Sequence, residues 1–232
     1  KRMSGIAMLN VDDVQDAVSE LKRCSKMGFA GAMITVYPPV GKRYDQPEYE
    51  PLWGTAEELA MPLGLHAATN RHGSGEGDSA TRTLSTSVNF DHYARMSLCQ
   101  IIYSGVFERH PRLQIGSVEH EVAWAAHFLE RLDYNYSQRA PGVRGFRFKD
   151  DVLPSDFFRG QIFCTFQEDK RGVDILSEMI GTDTLMFGSD YPHAESTWPR
   201  SRQFIDDMLA GVDQDVRAKL VCDNVAGLFK FN

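Results

Sequence analysis

The stretch "MFGSDYPHAEST" (186–197) decides between the folds open to this chain. An apolar run typical of a buried strand leads directly into Asp190, which Tyr-Pro-His then follows. Burial of a carboxylate is costly unless the group is paired or binds a metal. Asp190 therefore predicts a partner supplied by other parts of the chain, whereas a simple turn with a capping aspartate is the alternative reading of these letters.

Composition indicates an ordinary globular protein. The chain has 232 residues, of which 42% are hydrophobic and 25% charged, and this length suits a single α/β barrel domain over 1–232. A net charge of -7 without a basic cluster argues against a nucleic-acid partner. No apolar run approaches the roughly 18 residues that a membrane span needs. We therefore expect neither a nucleic acid nor a membrane as partner.

The cysteines indicate the cellular compartment. Cys24, Cys99, Cys164 and Cys222 lie far apart and show no CxxC spacing. We expect them to be buried, reduced thiols in a cytoplasmic protein, and no secretory signal is visible.

Short apolar runs alternate with longer helical patterns along the chain. The predicted strands lie at 4–10, 31–37, 62–70, within 109–121, at 160–166 and at 183–190. The predicted helices lie at 11–28, 47–61, 86–104, 122–136 and 170–181, and two or three more follow in the tail, where Asp223 is a candidate N-cap. This alternation predicts a parallel sheet covered by helices.

Two architectures fit that alternation, namely an open doubly wound sheet and a (β/α)8 TIM barrel. A dinucleotide-binding open sheet should carry GxGxxG after an early strand, and the nearest match, "GSGEG" (73–77), lacks the third glycine. A barrel instead predicts chemically capable residues at the carboxyl ends of several strands. The chain has that pattern, so we predict the barrel.

The polar strand ends are the candidate site. They comprise His66 and Asn70 on the third strand, Glu119, His120 and Glu121 on the fourth, Thr165, Gln167 and Glu168 on the fifth, and Asp190 and His193 on the sixth. In a barrel these ends converge on one face. Two imidazoles and a carboxylate, from His66, His120 and Asp190, are suitable ligands for zinc or a similar divalent ion. The alternative is that each is an ordinary polar residue at a strand end.

Several stretches together resemble a known family. They are "GFAGAMI" (28–34), "YEPLWGTAEELAMPLGLHAATN" (49–70), "GVFERHPRLQIGSVEHEVAWAAHFLERLD" (105–133) and "TLMFGSDYPHAEST" (184–197). The chain resembles the amidohydrolase-related metal enzymes, in the branch that includes aminocarboxymuconate-semialdehyde decarboxylase and the resorcylate-type decarboxylases. The likeness is weakest across 137–156.

The resemblance implies roles for three residues. His66 takes the place of the metal-binding histidine on barrel strand five, and Asp190 that of the metal-binding aspartate on strand eight. His120 takes the place of the strand-six histidine that acts as a catalytic acid or base, and Asp190 is a second candidate to accept a proton from the metal-bound water. The metal would be divalent, with zinc expected first and manganese second.

The chain also departs from the family pattern. The family's first strand supplies a His-x-His or Glu-x-His pair, whereas His66 is the first histidine here. Counting back from Asp190 leaves strands one and two absent, so we expect the sequence to be a portion of a longer chain. The glutamate that dihydroxybenzoate-type enzymes carry three residues after the strand-six histidine is Ala123 here. Glu119 and Glu121 replace the "HGGG" run of the carboxymuconate enzyme.

The resemblance implies a metal-dependent decarboxylase of a small aromatic or unsaturated carboxylic acid. A hydrolase or hydratase on the same scaffold is the first alternative, and an inactive barrel serving as an interaction module is the second. Candidate substrate-binding residues are Asn70, Arg71, Glu119 and His193, with His72 and Arg82 on the loop after His66. A homodimer is expected, and 137–156 is the candidate contact.

Overall fold

Six parallel strands form one sheet in the order in which they occur along the chain. The computed structural model describes residues 3–71, 85, 87–139 and 146–231. The strands are β1 (Ile6–Met8), β2 (Gly31–Thr35), β3 (Leu63–His66), β4 (Ile115–Val118), β5 (Ile162–Phe166) and β6 (Leu185–Phe187). Every neighbouring pair is parallel, as predicted. The strands are shorter than predicted; β3, for example, ends at His66 and β6 at Phe187, before the polar residues that follow them.

Helices separate the strands. In the described part of the chain they are α1 (Val14–Lys26), α2 (Glu50–Leu59), α3 (Asp91–Tyr103), α4 (Val106–Arg109), α5 (Ala123–Tyr134), α6 (Lys170–Ile180), α7 (Ser201–Met208), α8 (Gln214–Ala218) and α9 (Asn224–Leu228). Residues 47–49 and 154–159 form 3-10 turns, and 135–139 and 219–223 are π-helical. The prediction that Asp223 caps a helix was wrong: its side chain makes no capping hydrogen bond, because the π turn leads directly into α9.

The core lies on both faces of the sheet. Leu63 and Leu65 of β3 are fully buried. On the opposite side of the strands the packing is so close that Gly116 of β4 has no room for a side chain, since an added Cβ would come within 2.0 Å of the Phe163 ring. Parallel sheets that are covered on both faces carry such near-continuous apolar strands.

The cysteines are free, as expected, but not all are buried. Cys24 and Cys164 are buried, Cys99 is half-buried and Cys222 is exposed, which corrects the expectation for that residue. Among the helices of the described residues, none has the length and apolar character needed to cross a bilayer.

Asp169 ties two helix starts together beneath the carboxyl edge of the sheet. Its Oδ1 accepts a hydrogen bond from the Gly172 amide at 2.9 Å and so caps α6. Its Oδ2 accepts from the amides of Val122 and Ala123 at 3.1 and 2.6 Å, at the start of α5. One carboxylate thus satisfies three backbone donors that would otherwise lack partners.

We expect Asp169→Ala to lower the free energy of unfolding by about 2 to 3 kcal/mol, because it removes a helix cap and leaves further amides unpaired. The measurement is urea denaturation followed by circular dichroism. Asp174→Ala is the matched control: this aspartate on α6 makes an exposed pair with Lys170 at 3.1 Å, and its loss should change stability by no more than about 0.5 kcal/mol. Equal effects of the two substitutions would contradict this account of Asp169.

Candidate active site

The carboxyl ends of three strands bring four predicted residues together. His66 is the last residue of β3, Glu119 directly follows β4, and Asp190 and His193 lie in the loop after β6. Parallel pairing sets His66 opposite Val118, so the residue after Val118 emerges beside the imidazole. The expected convergence of these strand ends is therefore what the fold produces.

Glu119 lies between two histidines. Its Oε2 is 3.2 Å from Nδ1 of His66, and its Oε1 is 3.8 Å from Nδ1 of His193. Nδ1 of His193 is in turn 2.9 Å from Oδ1 of Asp190 and 3.0 Å from Oδ2. A continuous row of imidazole nitrogens and carboxylate oxygens thus runs from β3 to the loop after β6.

Unusual backbone conformations direct the two carboxylates into this row. Glu119 has φ of 66° and Asp190 has φ of 58°, in the left-handed region that non-glycine residues rarely adopt. The Glu119 amide donates a hydrogen bond to Oγ1 of Thr165 at 3.0 Å, which holds the turn against β5. Residues kept in such conformations by their surroundings are concentrated at functional sites.

Glu121 serves a different purpose from Glu119, although both flank His120. Its carboxylate accepts hydrogen bonds from the amides of Gln167 and Glu168, at 3.0 and 3.1 Å. The Gln167 side chain then donates to the carbonyl of Glu195 at 2.6 Å. These bonds connect the loops that follow β4, β5 and β6.

Burial is the main influence on the charge of Glu119. It raises the pKa of this carboxyl, Asp190 raises it further, and His66 and His193 oppose both effects. Two carboxylates held this closely repel each other unless a cation or proton lies between them. The electrostatics of the site therefore favour a bound positive charge.

His120 is buried next to this row. The residue is only 6% exposed, its Nδ1 lies 3.0 Å from Oγ of Ser117, and its Nε2 has no hydrogen-bond partner among the described residues. Burial lowers the pKa of His120 to about 4, with a smaller contribution from His66. The imidazole is thus neutral at pH 7.

A cavity of about 480 Å³ opens onto the row, and its size is typical of small-molecule pockets. The lining residues are His66, Phe90, Val118, Glu119, Glu121, Thr165, Phe166, Gln167, Glu168, Gly188, Asp190 and Glu195. His120 is not one of them. Phe90 and Glu195 were not predicted: Phe90 falls within a predicted helix (86–104), and Glu195, although part of the stretch 186–197, lies five residues beyond Asp190.

Asn70 and Arg71 lie outside this cavity. Asn70 lines a neighbouring space of about 370 Å³, which shares Phe90 with the first. The Arg71 guanidinium forms an ion pair with Asp12. The predictions for His72, Arg82 and most of the loop over 71–83 lie outside the described residues, as do 140–145 of the candidate dimer contact.

The donor atoms of the site suit a divalent cation. One ligand atom each from Glu119, Asp190 and His193 lie within 4.8 Å of one another, close to the span of atoms that share a metal at about 2.2 Å. His66 adds an imidazole on the far side of Glu119. Carboxylate and imidazole ligands together suit zinc or manganese.

A parallel α/β fold with a metal-capable donor set at the carboxyl edge of its sheet is the arrangement of the barrel-type metal enzymes. The Amidohydrolase family model matches residues 1–231, and the chain belongs to this family.

Individual relatives agree with that assignment. Gamma-resorcylate decarboxylase of Rhizobium sp. (strain MTP-10005) is 27% identical over 245 residues, covering 100% of this chain and 71% of the relative. The 2-amino-3-carboxymuconate-6-semialdehyde decarboxylase of Dictyostelium discoideum is 22% identical over 193 residues, covering 83% and 52%. The resemblance to this branch of the family is confirmed.

A solved structure confirms the fold class. The 5-carboxyvanillate decarboxylase of Novosphingobium aromaticivorans superposes with a TM-score of 0.81 at 21% identity, covering 99% of this chain and 64% of that one. That crystal contains manganese and 4-hydroxy-3-methoxy-5-nitrobenzoic acid.

The buried state of His120 yields a pH prediction. Because its pKa is lowered to about 4 from an ordinary value near 6.5, the unfolded chain binds a proton first as the pH falls. Stability should therefore decrease between pH of about 6.5 and about 4, by on the order of 3 kcal/mol, and His120→Gln should lack this decrease. NMR titration of the metal-free protein, with the variant used to assign the resonance, measures the pKa directly. A midpoint near 6.5 would contradict the buried, neutral assignment.

Proposed function

We propose that this protein is a divalent-metal-dependent decarboxylase that acts on a small aromatic carboxylic acid. The observation that carries the proposal is the row of His66, Glu119, His193 and Asp190 at the mouth of a ring-sized cavity. Family membership, and the decarboxylase activity named for the relatives, support the same conclusion.

His66 and Asp190 would hold the metal. Such an ion orients an anionic substrate and stabilises the negative charge that develops as the carboxylate leaves. Zinc and manganese both fit the donor types, and manganese is favoured by its presence in the 5-carboxyvanillate decarboxylase crystal.

The reaction replaces a carboxylate on a ring carbon by a proton. The bond between the ring and the carboxylate breaks, its electron pair stays with the ring, carbon dioxide departs and one proton is added to the carbon. His120 is a candidate to relay that proton: its unpartnered Nε2 and its ring, neutral at pH 7, would accept a proton from a water molecule and then pass it to the ring carbon. Asp190 is the second candidate for moving this proton, and it would accept the proton from a water molecule at the site.

Substrate contacts would come from the walls of the cavity. Phe90 offers an apolar surface for an aromatic ring, and Glu119 is placed for a polar contact. His193 does not line the cavity but lies 3.8 Å from Glu119, and it remains a candidate for substrate binding. Arg71 and Asn70 remain candidates for binding an anionic group, although Arg71 would have to exchange Asp12 for the substrate.

We further propose a cytoplasmic homodimer, supported by the free cysteines and by the resemblance to this family.

We expect the purified protein to contain about one divalent metal ion per chain and to release carbon dioxide from 2,6-dihydroxybenzoate or 5-carboxyvanillate. Asp190→Asn should lower kcat by at least about 100-fold, the scale of losing a group that stabilises charge in the transition state. Asp207→Asn, an exposed aspartate on α7, is the matched control and should keep full activity. Elemental analysis and a coupled carbon dioxide assay are the measurements.

Products other than carbon dioxide would indicate a different reaction. Ring opening or addition of water, without carbon dioxide, would indicate a hydrolase or hydratase on the same scaffold. Failure to bind zinc or manganese even after reconstitution would contradict the enzyme proposal and favour an interaction module.

A further inference from the structure

We propose that Gln167 is a positioning residue for the reaction, whose side chain holds the loop after β6 (188–197), and with it Asp190, at the mouth of the cavity. This inference rests on the proposed function, in which Asp190 holds the metal. Gln167 directly follows β5, and its Nε2 donates a hydrogen bond to the carbonyl of Glu195 at 2.6 Å. One side chain thus joins the end of a strand to the loop that follows the next strand.

Hydrogen bonds within the loop connect Glu195 to Asp190. The hydroxyl of Ser196, the residue after Glu195, donates to the carbonyl of Ser189 at 2.7 Å. The amide of Thr197 donates to the same carbonyl at 3.1 Å. Because Ser189 directly precedes Asp190, a displacement of the loop at Glu195 would be passed on to Asp190.

The loop is attached to β5 and the residue after it at two points. At its start, the Gly188 amide donates to the carbonyl of Phe166 at 2.9 Å, which continues the pairing of β5 with β6. Two residues later Asp190 has the left-handed φ of 58°, a conformation that persists only where the surroundings hold it. Gln167 supplies the second attachment, near the far end of the loop.

Glu121 orients Gln167 in turn. Its Oε2 accepts a hydrogen bond from the backbone amide of Gln167 at 3.0 Å, and its Oε1 accepts one from the amide of Glu168 at 3.1 Å. These bonds fix the backbone from which the Gln167 side chain extends. Glu121, Gln167, Glu168 and Glu195 all line the cavity, so the contacts that hold the loop also shape one wall of the site.

The chemistry of the amide group supports a positioning role. A glutamine side chain does not exchange a proton near pH 7, so Gln167 cannot serve as the acid or base of the reaction. Its nitrogen is engaged by the carbonyl of Glu195. The competing role is a direct contact between Gln167 and the substrate, which would affect KM without moving the loop.

The loop has a natural reporter in Trp198, the residue that follows it. Its ring lies 5.7 Å from the ring of Tyr191, the residue after Asp190, measured between the centroids. Fluorine NMR of the metal-free protein labelled with fluorotryptophan follows the three tryptophans, and Trp198→Phe assigns the resonance of the loop. Trp53, fully buried on α2, is the internal reference.

Gln167→Met keeps the length of the side chain and removes the hydrogen-bond donor. We expect the Trp198 resonance to shift or broaden while the Trp53 resonance stays unchanged. Manganese binding, measured by titration calorimetry, should weaken by about 10-fold, the smaller of the effects typical of losing a group that orients a metal ligand.

A second variant and a matched control accompany this substitution. Glu121→Gln sets an amide nitrogen against a backbone donor, so it should change the Trp198 resonance and the manganese affinity in the same direction as Gln167→Met. Gln114→Met is the control: Gln114 precedes β4 at the opposite edge of the sheet, where its side chain donates to the carbonyl of Gly160 at 2.9 Å. Its loss should change neither quantity. Circular dichroism checks that each variant is folded.

The possible outcomes separate this inference from the proposed function. An unchanged Trp198 resonance in Gln167→Met would overturn the inference, and a raised KM in that case would assign Gln167 to direct substrate contact. A changed resonance with wild-type manganese affinity would also overturn it, because the loop would move without affecting Asp190. If the wild type binds neither zinc nor manganese, the proposed function fails, while the spectra of the metal-free protein still decide whether Gln167 holds the loop.

Discussion

Parallel pairing of β3 with β4 is the constraint on which the site depends. It sets His66 opposite Val118, so the first residue beyond β4 emerges beside the imidazole. The same parallel order carries on through β5 to β6 and brings Asp190 to the same edge, 71 residues further along the chain from Glu119. A slip of one residue would turn these side chains to the opposite face.

Negative charge dominates the mouth of the cavity, and each carboxylate there is handled differently. Asp169, just below it, accepts hydrogen bonds from three backbone amides at the starts of two helices. Glu121 is held by two amides of the loop after β5. Among the described residues, the ion-pair partners of Glu119 and Asp190 are imidazoles. The loops are thus fastened by carboxylates that use backbone donors, while two carboxylates stay available for a cation.

The sequence predicted the parallel sheet, the helices between the strands and the set of strand ends that carry chemistry. These follow from apolar runs interrupted by polar residues, which is a local signal. The strand lengths could not be predicted, because the strand expected over 183–190 ends at Phe187, and Gly188 and Asp190 leave the sheet. The ion-pair partner of Arg71 could not be predicted either, since Asp12 lies 59 positions away in the sequence and the pair forms only in the folded chain.

The positions of Glu119 and His120 illustrate the same limit within the site. The family resemblance points to His120 as the residue at the reacting centre. In the structure, the backbone at Glu119 is left-handed, the glutamate lines the cavity, and His120 lies against Ser117. The sequence contains no pattern that predicts a left-handed backbone conformation at this non-glycine residue.

Anomalous X-ray diffraction at the manganese edge, from crystals grown with manganese, tests the central claim most directly. The account predicts one strong peak per chain at the carboxyl edge of the sheet, within bonding distance of His66 and Asp190. A peak bound only elsewhere on the protein, or no peak in crystals whose solution contains saturating manganese, would contradict it.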